Sequence, residues 1–406
     1  MIKSVKQCRG CGTPFAAPIV NYGLTPIADM LAENANNTKF QAPLALHLCE
    51  QCYLLQLSCH LDAKHIFDQN YPYFSSSINS LVERMQHLAV QLVKRYQLDK
   101  DSQIIEIASN DGYLLQHFQA QGINVVGIEP SERQAAISNE KNITTECVFF
   151  NSESSNELLN KHGAADLIVA NNVVAHIADV NDFLTGIELL LKESGTAVFE
   201  FHYAAKMLAE CQFDTLYHQH IFYYTLGSFQ QLVENANMTV NHVEQISSYG
   251  GSLRVHVGKQ SVTDSSVDKF LKQEHTSGLS QISIYVDFAA NAKRCSDELK
   301  RQVNQLNKQG KSIVGYGAAA KATTLLSVCG IADQLDYIVD KNTKKHGYYM
   351  PGSALQIKPV EYLKKDLPDY ILILAWNYAD EIKQQLDWFT EQGGRLIVGS
   401  LSAEVL

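Results

Sequence analysis

Apolar and polar positions follow two different periods in the middle of the chain. A helical stripe comes first, at Leu81, Met85, Leu88, Leu92 and Val93. Short apolar runs then alternate with helical segments, and these runs occupy residues 103–108, 124–129, 166–172 and 195–201. Because strands that alternate with helices build a parallel sheet covered on both faces, this stretch predicts a doubly wound α/β domain.

A second series of the same type lies near the C-terminal end. Its strand-like runs occupy residues 311–317, 334–340, 368–376 and 394–400. A helix is predicted over 321–328, after the first of these runs, which indicates a second α/β unit. Between the two series, the segment around 248–257 predicts a late strand and the polar stretch 264–310 a connecting helix.

Residues 1–70 have a different character. They are rich in turn-forming residues and cysteine, and they contain few long periodic runs. The three patterns together predict a small N-terminal domain over 1–70, a central domain with its connecting helix over 71–300 and a C-terminal domain over 301–406. A chain of 406 residues is long enough for several hydrophobic cores.

Composition narrows the class of partner. Hydrophobic residues make up 46% of the chain and charged residues 19%, which is typical of a globular protein. Lys and Arg number 33 against 43 Asp and Glu, a net charge of −10, which disfavours polyanion binding. The sequence contains neither a secretory signal nor an apolar run of about 20 residues. We therefore expect a cytoplasmic protein with a small-molecule substrate and no nucleic-acid or membrane partner.

Four of the nine cysteines form two C-x-x-C pairs, Cys8 with Cys11 and Cys49 with Cys52. Two such pairs can supply four thiolates to a tetrahedral zinc ion. With four protein ligands the ion would keep no open position for a reactant, so the predicted zinc is structural. Two unrelated cysteine-containing turns are the alternative, because the gap between the pairs is longer than in a compact zinc ribbon.

The first strand of the central series ends in a motif that suits a nucleoside-binding loop. Glu106 lies at the end of this strand. The turn that follows contains Ala108, Asn110, Asp111 and Gly112. Glu129 ends the next strand, where its carboxylate can accept both ribose hydroxyls. Because a G-x-G-x-x-G motif is missing here, the loop favours S-adenosylmethionine over a dinucleotide; an ordinary acidic strand end is the alternative.

The strand-like run over 166–172 ends in polar residues that can line the same cleft. Asn171 and Asn172 close this run, and His176 after them can reach toward a substrate. A single histidine after a strand is also commonly a hydrogen-bonded surface residue. The position alone therefore leaves both interpretations of His176 open.

The segment from Tyr217 to His220 concentrates two imidazoles and a phenol within four residues, which suits acid–base chemistry. In an extended segment, His218 and His220 would share one face. In a helical turn, Tyr217 would pair with His220 instead. A purely structural polar patch is the alternative.

The C-terminal series carries a G-x-G-x-x-A motif between a strand and a helix. Gly315 and Gly317 are its glycines, and Asp340 lies at the end of a later strand-like run. Taken alone, this motif indicates a dinucleotide. The same loop-to-helix geometry also binds other diphosphates, including that of a nucleotide-linked sugar.

Taken in order, these motifs resemble the family of sugar C-methyltransferases that make branched deoxysugars. The resemblance extends over nearly the whole chain and starts with the two cysteine pairs. Its further segments are residues 71–75, 106–112, 127–130, 172–176, 213–218, 250–254, 315–318 and 339–341. The family fold consists of a zinc-binding N-terminal domain, a central class I (Rossmann-like) methyltransferase domain and a C-terminal Rossmann-like domain.

The resemblance implies methylation of a carbon next to the ketone of a nucleotide-linked 4-keto-deoxysugar, with S-adenosylmethionine as methyl donor. This carbon becomes nucleophilic only after its proton leaves to give an enolate, so the protein needs a base and an enolate-stabilising group. We expect His220 to be the base, and Tyr217 and His176 to orient or stabilise the enolate. Gln219 would form hydrogen bonds, and Tyr73 would approach the cleft from the N-terminal side.

The remaining predicted contacts divide into two sets. The cofactor would contact Glu106, Ala108, Asn110, Asp111, Gly112, Glu129, Pro130, Asn171 and Asn172. The C-terminal domain would hold the nucleotide diphosphate through Gly315, Gly317, Lys321 and Asp340.

The chain departs from the family pattern at three positions of the central domain, and the mildest change is Ala108 in place of glycine. Gln219 stands where the family has glutamate, and His202 precedes Tyr203 where a proline is usual. An amide cannot take a proton, so a base role of that glutamate does not carry over. The alternatives are therefore a methyltransferase of another enolisable metabolite, a nucleotide-sugar binding protein without catalysis, and an NAD-dependent enzyme that uses the C-terminal glycines.

Overall fold

The computed structural model describes residues 2–37, 40–67 and 73–399. Tyr71 and Pro72, which begin the aromatic motif of the family, lie outside the described residues. The N-terminal lobe, defined as the described part of residues 2–67, consists mainly of antiparallel strands. These strands are β1 Ile2–Ser4, β2 Val20–Pro26, β3 Gln41–Leu48, β4 Leu55–Leu57 and β5 Cys59–Leu61. β1 pairs with β5, while β2, β3 and β4 form a second sheet.

The strands of the middle region confirm the predicted α/β pattern. In chain order they are β6 Gln103–Ile107, β7 Asn124–Ile128, β8 Thr145–Glu146, β9 Ala165–Asn171, β10 Leu191–His202, β11 Phe222–Tyr223, β12 Thr239–Ile246 and β13 Ser252–Gly258. All except β11 form one seven-stranded sheet in the order β12-β13-β10-β9-β6-β7-β8. β6 to β10 run parallel, whereas β13 and β12 are antiparallel additions at one edge. β11 pairs with β4, so it extends the sheet of the N-terminal lobe.

Helices pack against both faces of the seven-stranded sheet. The helices of this region are α1 Asn79–Tyr96, α2 Leu115–Gln119, α3 Glu132–Glu140, α4 Ser152–His162, α5 Val180–Leu190, α6 Ala204–Ala209, α7 Leu226–Asn235 and α8 Ser265–Thr276, and α6 is buried in the core of the C-terminal region instead. α1 forms because its apolar stripe can be buried: Leu81, Met85 and Leu88 lie against the sheet with Ile104. The predicted first helix is thereby confirmed.

The predicted connecting helix is two helices, α8 and the long α9 Ile282–Lys308. The elements of the C-terminal region after α9 are β14 Ile313–Tyr316, α10 Ala320–Cys329, β15 Ile338–Asp340, β16 Ile357–Pro359, α11 Leu363–Asp366, β17 Tyr370–Ile373, α12 Ala379–Gln385, α13 Asp387–Glu391 and β18 Arg395–Val398. The strands form a parallel sheet in the order β16-β15-β14-β17-β18, which confirms a second doubly wound unit. No helix in the described part of the chain combines the length and the apolar character needed to cross a membrane.

Hydrophobic cores cross the predicted domain limits. Cys8 and Leu54 of the N-terminal lobe share one core with Phe222 and Phe229 of the central region. A Cβ on Gly10 would come within 2.9 Å of the Leu232 side chain, so the first cysteine turn packs directly on α7. The limits 1–70, 71–300 and 301–406 stay predictions, and the regions they separate are closely joined.

Candidate active site

A cleft opens at the carboxyl ends of β6, β7 and β9, where the strand order of the central sheet reverses. Ligands of parallel α/β sheets bind at this place. The cleft has an open volume of about 930 Å³. Of the predicted cofactor and catalytic residues, it is lined by Tyr73, Ala108, Asn110, Glu129, Pro130, Asn171, Asn172 and His176.

The cleft also contains residues that the sequence analysis missed. They include Phe67, Leu81, Tyr113, Val148, Phe149, Phe150, Ile177 and Tyr249. Residues 148–150 follow β8, so the rule that strand ends face the ligand would have found them. For Tyr249 the sequence offers a weaker signal, which is the position of this residue next to two glycines. Its φ of +54° is uncommon for a bulky residue, and such conformations concentrate at functional sites.

The turn after β6 contains several residues in the left-handed conformation. Gly112 has a φ of +77°, and a Cβ there would come within 2.7 Å of Ile143, so the position requires glycine. Ala108, where the family has glycine, has a φ of +58°. Because an L-residue in this region costs about 1–2 kcal/mol, the turn is kept at some expense in stability. Asp111, a predicted cofactor contact, is not among the residues that line the cleft, and it accepts the N–H of Ser76 at 3.3 Å.

Glu129 is fixed at the end of β7 by two backbone donors. Its Oε2 accepts the N–H of Asn110 at 3.0 Å, and its Oε1 accepts the N–H of Ser131 at 2.9 Å. Burial raises the pKa of Glu129, although these N–H groups favour the charged form. Each carboxylate oxygen has a further lone pair, so the side chain can still accept ribose hydroxyls.

The groups around this turn fit a positively charged nucleoside cofactor. Burial raises the pKa of Glu106, and the negative charges of Glu129 and Asp111 raise it further. Glu106 Oε2 and Asn171 Oδ1 are buried and have no hydrogen-bond partner among the described residues. A cationic ligand with hydroxyl and ammonium donors would relieve both conditions, and S-adenosylmethionine is such a ligand.

The segment after the 3-10 helix Phe213–Thr215 forms a tight turn, which is the second of the two predicted conformations. The N–H of His220 donates to the carbonyl of Tyr217 at 2.9 Å, and the Tyr217 hydroxyl lies 2.7 Å from His220 Nε2. The ring of His176 lies 4.8 Å from that of His220. His176 Nδ1 donates to the carbonyl oxygen of Gln219 at 2.7 Å. The turn therefore brings together the three predicted acid–base residues.

The two other side chains of the turn are buried against the N-terminal lobe. Gln219 Nε2 donates to the carbonyl of Ala28 at 2.5 Å. His218 Nε2 lies 3.2 Å from the carbonyl of Ala42. Both residues therefore anchor the turn, while His220 remains partly accessible.

Burial keeps the histidines of the site neutral. It lowers the pKa of His176, and it lowers that of His220 well below the usual value. The charge of Lys321 lowers the pKa of His220 further, as would a proton on His176 or His202. A neutral imidazole has one nitrogen that can accept a proton, so His220 is in the form that a base requires.

Residues of the central region and of the C-terminal region also surround the turn. His202 Nε2 lies 2.7 Å from Gln212 Oε1, and burial lowers the pKa of His202 to about 4. Trp376 Nε1 donates to Asp214 Oδ2 at 2.7 Å. Lys321 Nζ lies over the Trp376 ring, 3.9 Å from its centre. The C-terminal region thus contributes a cation close to the acid–base residues.

The other predicted diphosphate contacts lie in the loop after β14. Gly315 lies inside the strand, where a Cβ would come within 2.8 Å of Leu374. Gly317 has a φ of +97° and lies against Ala375. Asp340 Oδ2 accepts the N–H of Ala318 at 2.7 Å, so the carboxylate occupies one amide of the loop. The structure therefore places these residues together, apart from Lys321, which faces Asp214 and the central region.

The four cysteines of the N-terminal lobe form a cluster that fits zinc. Their sulfurs all lie within 4.8 Å of one another, with Cys8 and Cys52 at 3.6 Å and Cys11 and Cys49 at 3.5 Å. A tetrahedral ion with Zn–S bonds of about 2.3 Å requires sulfurs about 3.8 Å apart, close to these distances. Gln56 Nε2 donates to the Cys8 sulfur at 3.1 Å, as expected for a group that supports a thiolate.

Comparison with known families agrees with each region. The family described as a zinc binding domain matches residues 8–67, and the one described as a methyltransferase domain matches 81–243. The family described as a C-methyltransferase C-terminal domain matches 247–399. Together with the seven-stranded sheet and its cleft, these matches define a methyltransferase that uses S-adenosylmethionine and carries a structural zinc ion.

C-methyltransferase NovU of Streptomyces niveus is 31% identical to the chain over 404 residues, which cover 98% of this chain and 96% of that protein. The chain therefore belongs to the C-methyltransferase family.

Solved structures resemble the chain more distantly. An S-adenosylmethionine-dependent methyltransferase from Clostridium acetobutylicum shares 11% identity at a TM-score of 0.36, covering 44% of this chain and 91% of its own. Magnesium protoporphyrin IX methyltransferase from Synechocystis shares 12% at a TM-score of 0.35, covering 44% and 83%. Scores at this level add nothing to the assignment, which depends on the full-length relative and the geometry described above.

Proposed function

We propose that the protein methylates a carbon next to the ketone of a nucleotide-linked 4-keto-deoxysugar, through an enolate. The observation that carries this proposal is the contact between His220 and Tyr217 beside His176, which lines the cofactor cleft. A neutral base and a hydroxyl next to the methyl donor are the groups that α-carbon methylation needs. In this proposal the cleft binds the cofactor, and the turn contacts the reacting carbon. The C-terminal loop binds the nucleotide.

His220 is the proposed base. Its Nε2 is in contact with the Tyr217 hydroxyl, so a neutral His220 that accepts the substrate proton must do so at Nδ1. In that tautomer Nε2–H donates to the Tyr217 oxygen, which fixes the orientation of the ring. Tyr217 then has a positioning role before the reaction and can stabilise the imidazolium that forms.

His176 is the proposed link between the acceptor and the cofactor cleft. Because its Nδ1–H donates to Gln219, the neutral ring has an unprotonated Nε2 that can orient an acceptor hydroxyl. Tyr73 lines the cleft from the side of the N-terminal lobe, and Gln219 holds the turn without titrating. When bound, S-adenosylmethionine supplies an electrophilic methyl group and leaves as S-adenosylhomocysteine.

The test is a panel of nucleotide-linked 4-keto-deoxysugars incubated with protein and cofactor carrying a labelled methyl group. We expect one member to gain one methyl mass, with the label on a carbon adjacent to the ketone by NMR. If a different enolisable carbonyl compound is methylated instead, the enolate mechanism holds and the proposed acceptor is wrong. Absence of exchange at the α-carbon of every carbonyl compound tested, in deuterated solvent, would contradict the enolate mechanism itself.

Glu129→Ala is expected to weaken binding of S-adenosylmethionine by about 1.5–3 kcal/mol, the scale of charge-assisted hydrogen bonds to ribose hydroxyls. Isothermal titration calorimetry measures the effect. Glu132→Ala is the matched control, because this carboxylate lies three residues further on, in the first turn of α3, and is exposed. Equal affinities of wild type and Glu129→Ala would show that the ribose is held elsewhere.

A further inference from the structure

Lys321 belongs to the C-terminal region but lies beside the turn that carries His220. It is the second residue of α10, and Thr324, one turn further along, donates its hydroxyl to the carbonyl of Leu216 at 2.7 Å. Residues three apart on a helix share a face. The face of α10 that carries Lys321 is therefore fixed to the chain just before Tyr217.

Trp376 fixes the Lys321 ammonium group from the other side. The ring lies 3.9 Å from Nζ, and its Nε1 donates to Asp214 at 2.7 Å, within the 3-10 helix that leads into the turn. A Cβ on Gly250 would come within 2.8 Å of the same ring. Trp376 thus connects Lys321 with the loop that carries Tyr249 into the cofactor cleft.

The ammonium group of Lys321 has unused donors. Among the described residues, Nζ has the face of an aromatic ring and the charge of Asp214 beside it, but no hydrogen-bond acceptor within reach. A partly buried cation without an acceptor is costly, which suggests that a ligand oxygen completes its surroundings. The charge of Lys321 is also near enough to lower the pKa of both His202 and His220.

We propose that Lys321 is a catalytic residue whose ammonium group binds the acceptor oxygen that becomes negative when His220 removes the neighbouring proton. This inference rests on the proposed function. It replaces the role that the sequence predicted for Lys321, which was binding of the nucleotide diphosphate. As the C–H bond breaks, its proton goes to His220 and its electron pair forms the C=C bond. The carbonyl π pair moves onto oxygen, where the ammonium stabilises it.

The state of charge fits this role. Burial lowers the pKa of Lys321 to about 8, while the carboxylate of Asp214 opposes the shift. The ammonium form therefore predominates at neutral pH and is lost as the pH rises through about 8. His202 and His220 face the same space and are neutral there, so Lys321 is the cation available to an oxyanion.

The test uses the acceptor that wild type methylates and follows exchange of its α-proton in deuterated solvent, without methyl donor. We expect Lys321→Met to slow exchange by about 10²–10³-fold, the usual effect of removing an oxyanion donor. Lys321→Arg should keep part of the rate and move the decline at alkaline pH to higher values, because guanidinium stays charged. Lys364→Met is the control, since Lys364 also lies over a tryptophan, Trp388, but away from the turn.

Two further measurements separate the possible failures. Calorimetry with S-adenosylmethionine shows that each variant is folded, and titration with the free nucleoside diphosphate shows whether Lys321 holds that part of the substrate. Normal exchange in Lys321→Met would overturn the inference while leaving the proposed function intact. Lost diphosphate binding with normal exchange at saturating acceptor would assign Lys321 to the diphosphate. Absence of exchange in wild type with every carbonyl compound would contradict the proposed function, and this inference with it.

Discussion

Replacing His220 by alanine is expected to reduce methyl transfer and α-proton exchange together, by about 10²–10⁴-fold, because both need the same base. The neutral imidazole next to Tyr217 and His176 is the group that would take the proton. Mass spectrometry measures the methyl gain, and NMR in deuterated solvent measures the exchange. Binding of S-adenosylmethionine should be unchanged, since His220 does not line the cofactor cleft.

Gln219→Ala is the matched control for this prediction, one residue away in the same turn. Its amide donates to the buried carbonyl of Ala28, so its loss should appear in stability, at about 1–3 kcal/mol. The chemical step should change far less than in His220→Ala. Near-normal exchange in His220→Ala would exclude this base and indicate His176, which lines the cleft, instead.

Cys49→Ser is expected to have the largest effect on stability. Wild type should contain about one zinc per chain by metal analysis, and the variant far less, because a serine hydroxyl is a poor replacement for a thiolate. Structural zinc contributes its binding free energy directly to folding. The thermal midpoint should fall for the central region as well, because Cys8, Cys49 and Cys52 lie in the core that includes Phe229.

Cys59→Ser is the matched control for the zinc prediction. Cys59 is a buried thiol of the same N-terminal lobe, in β5, but it is outside the cluster of four sulfurs. This variant should keep its zinc and lose only the modest stability of one buried thiol. A full complement of metal in Cys49→Ser would rule out the assigned ligands.

Local patterns were enough to predict the fold class and the place of the turn after β6 at the edge of the central cleft. The strands β6, β7, β9 and β14 are short apolar runs, and a parallel sheet is the arrangement that buries such runs on both faces. The acidic and small residues after β6 and β7 must lie together, because parallel strands end at the same edge of a sheet. The zinc cluster could be predicted in the same way, because the two cysteines of each pair are close in sequence.

Contacts between distant parts of the chain could not be predicted in this way. Nothing in the sequence indicated that β11 extends the sheet of the N-terminal lobe, or that Gln219 would donate to Ala28. That contact gives a physical reason for the amide, because an ionised glutamate at this position would face a carbonyl oxygen. The turn conformation of 217–220 was one of two open alternatives until the Tyr217–His220 contact decided it.

By itself, the sequence determined the α/β class, the two cysteine pairs that form the cluster fitting zinc, and the strand ends that line the central cleft, because these depend on spacing along one segment. The tertiary structure decided which acid–base groups meet. It placed Lys321, which was predicted to lie along the loop after β14, beside the turn and next to Trp376. The physical reason is that electrostatic environment and burial come from whichever distant residues pack together. The Lys321 ammonium acquires its setting only where α10 meets the central region.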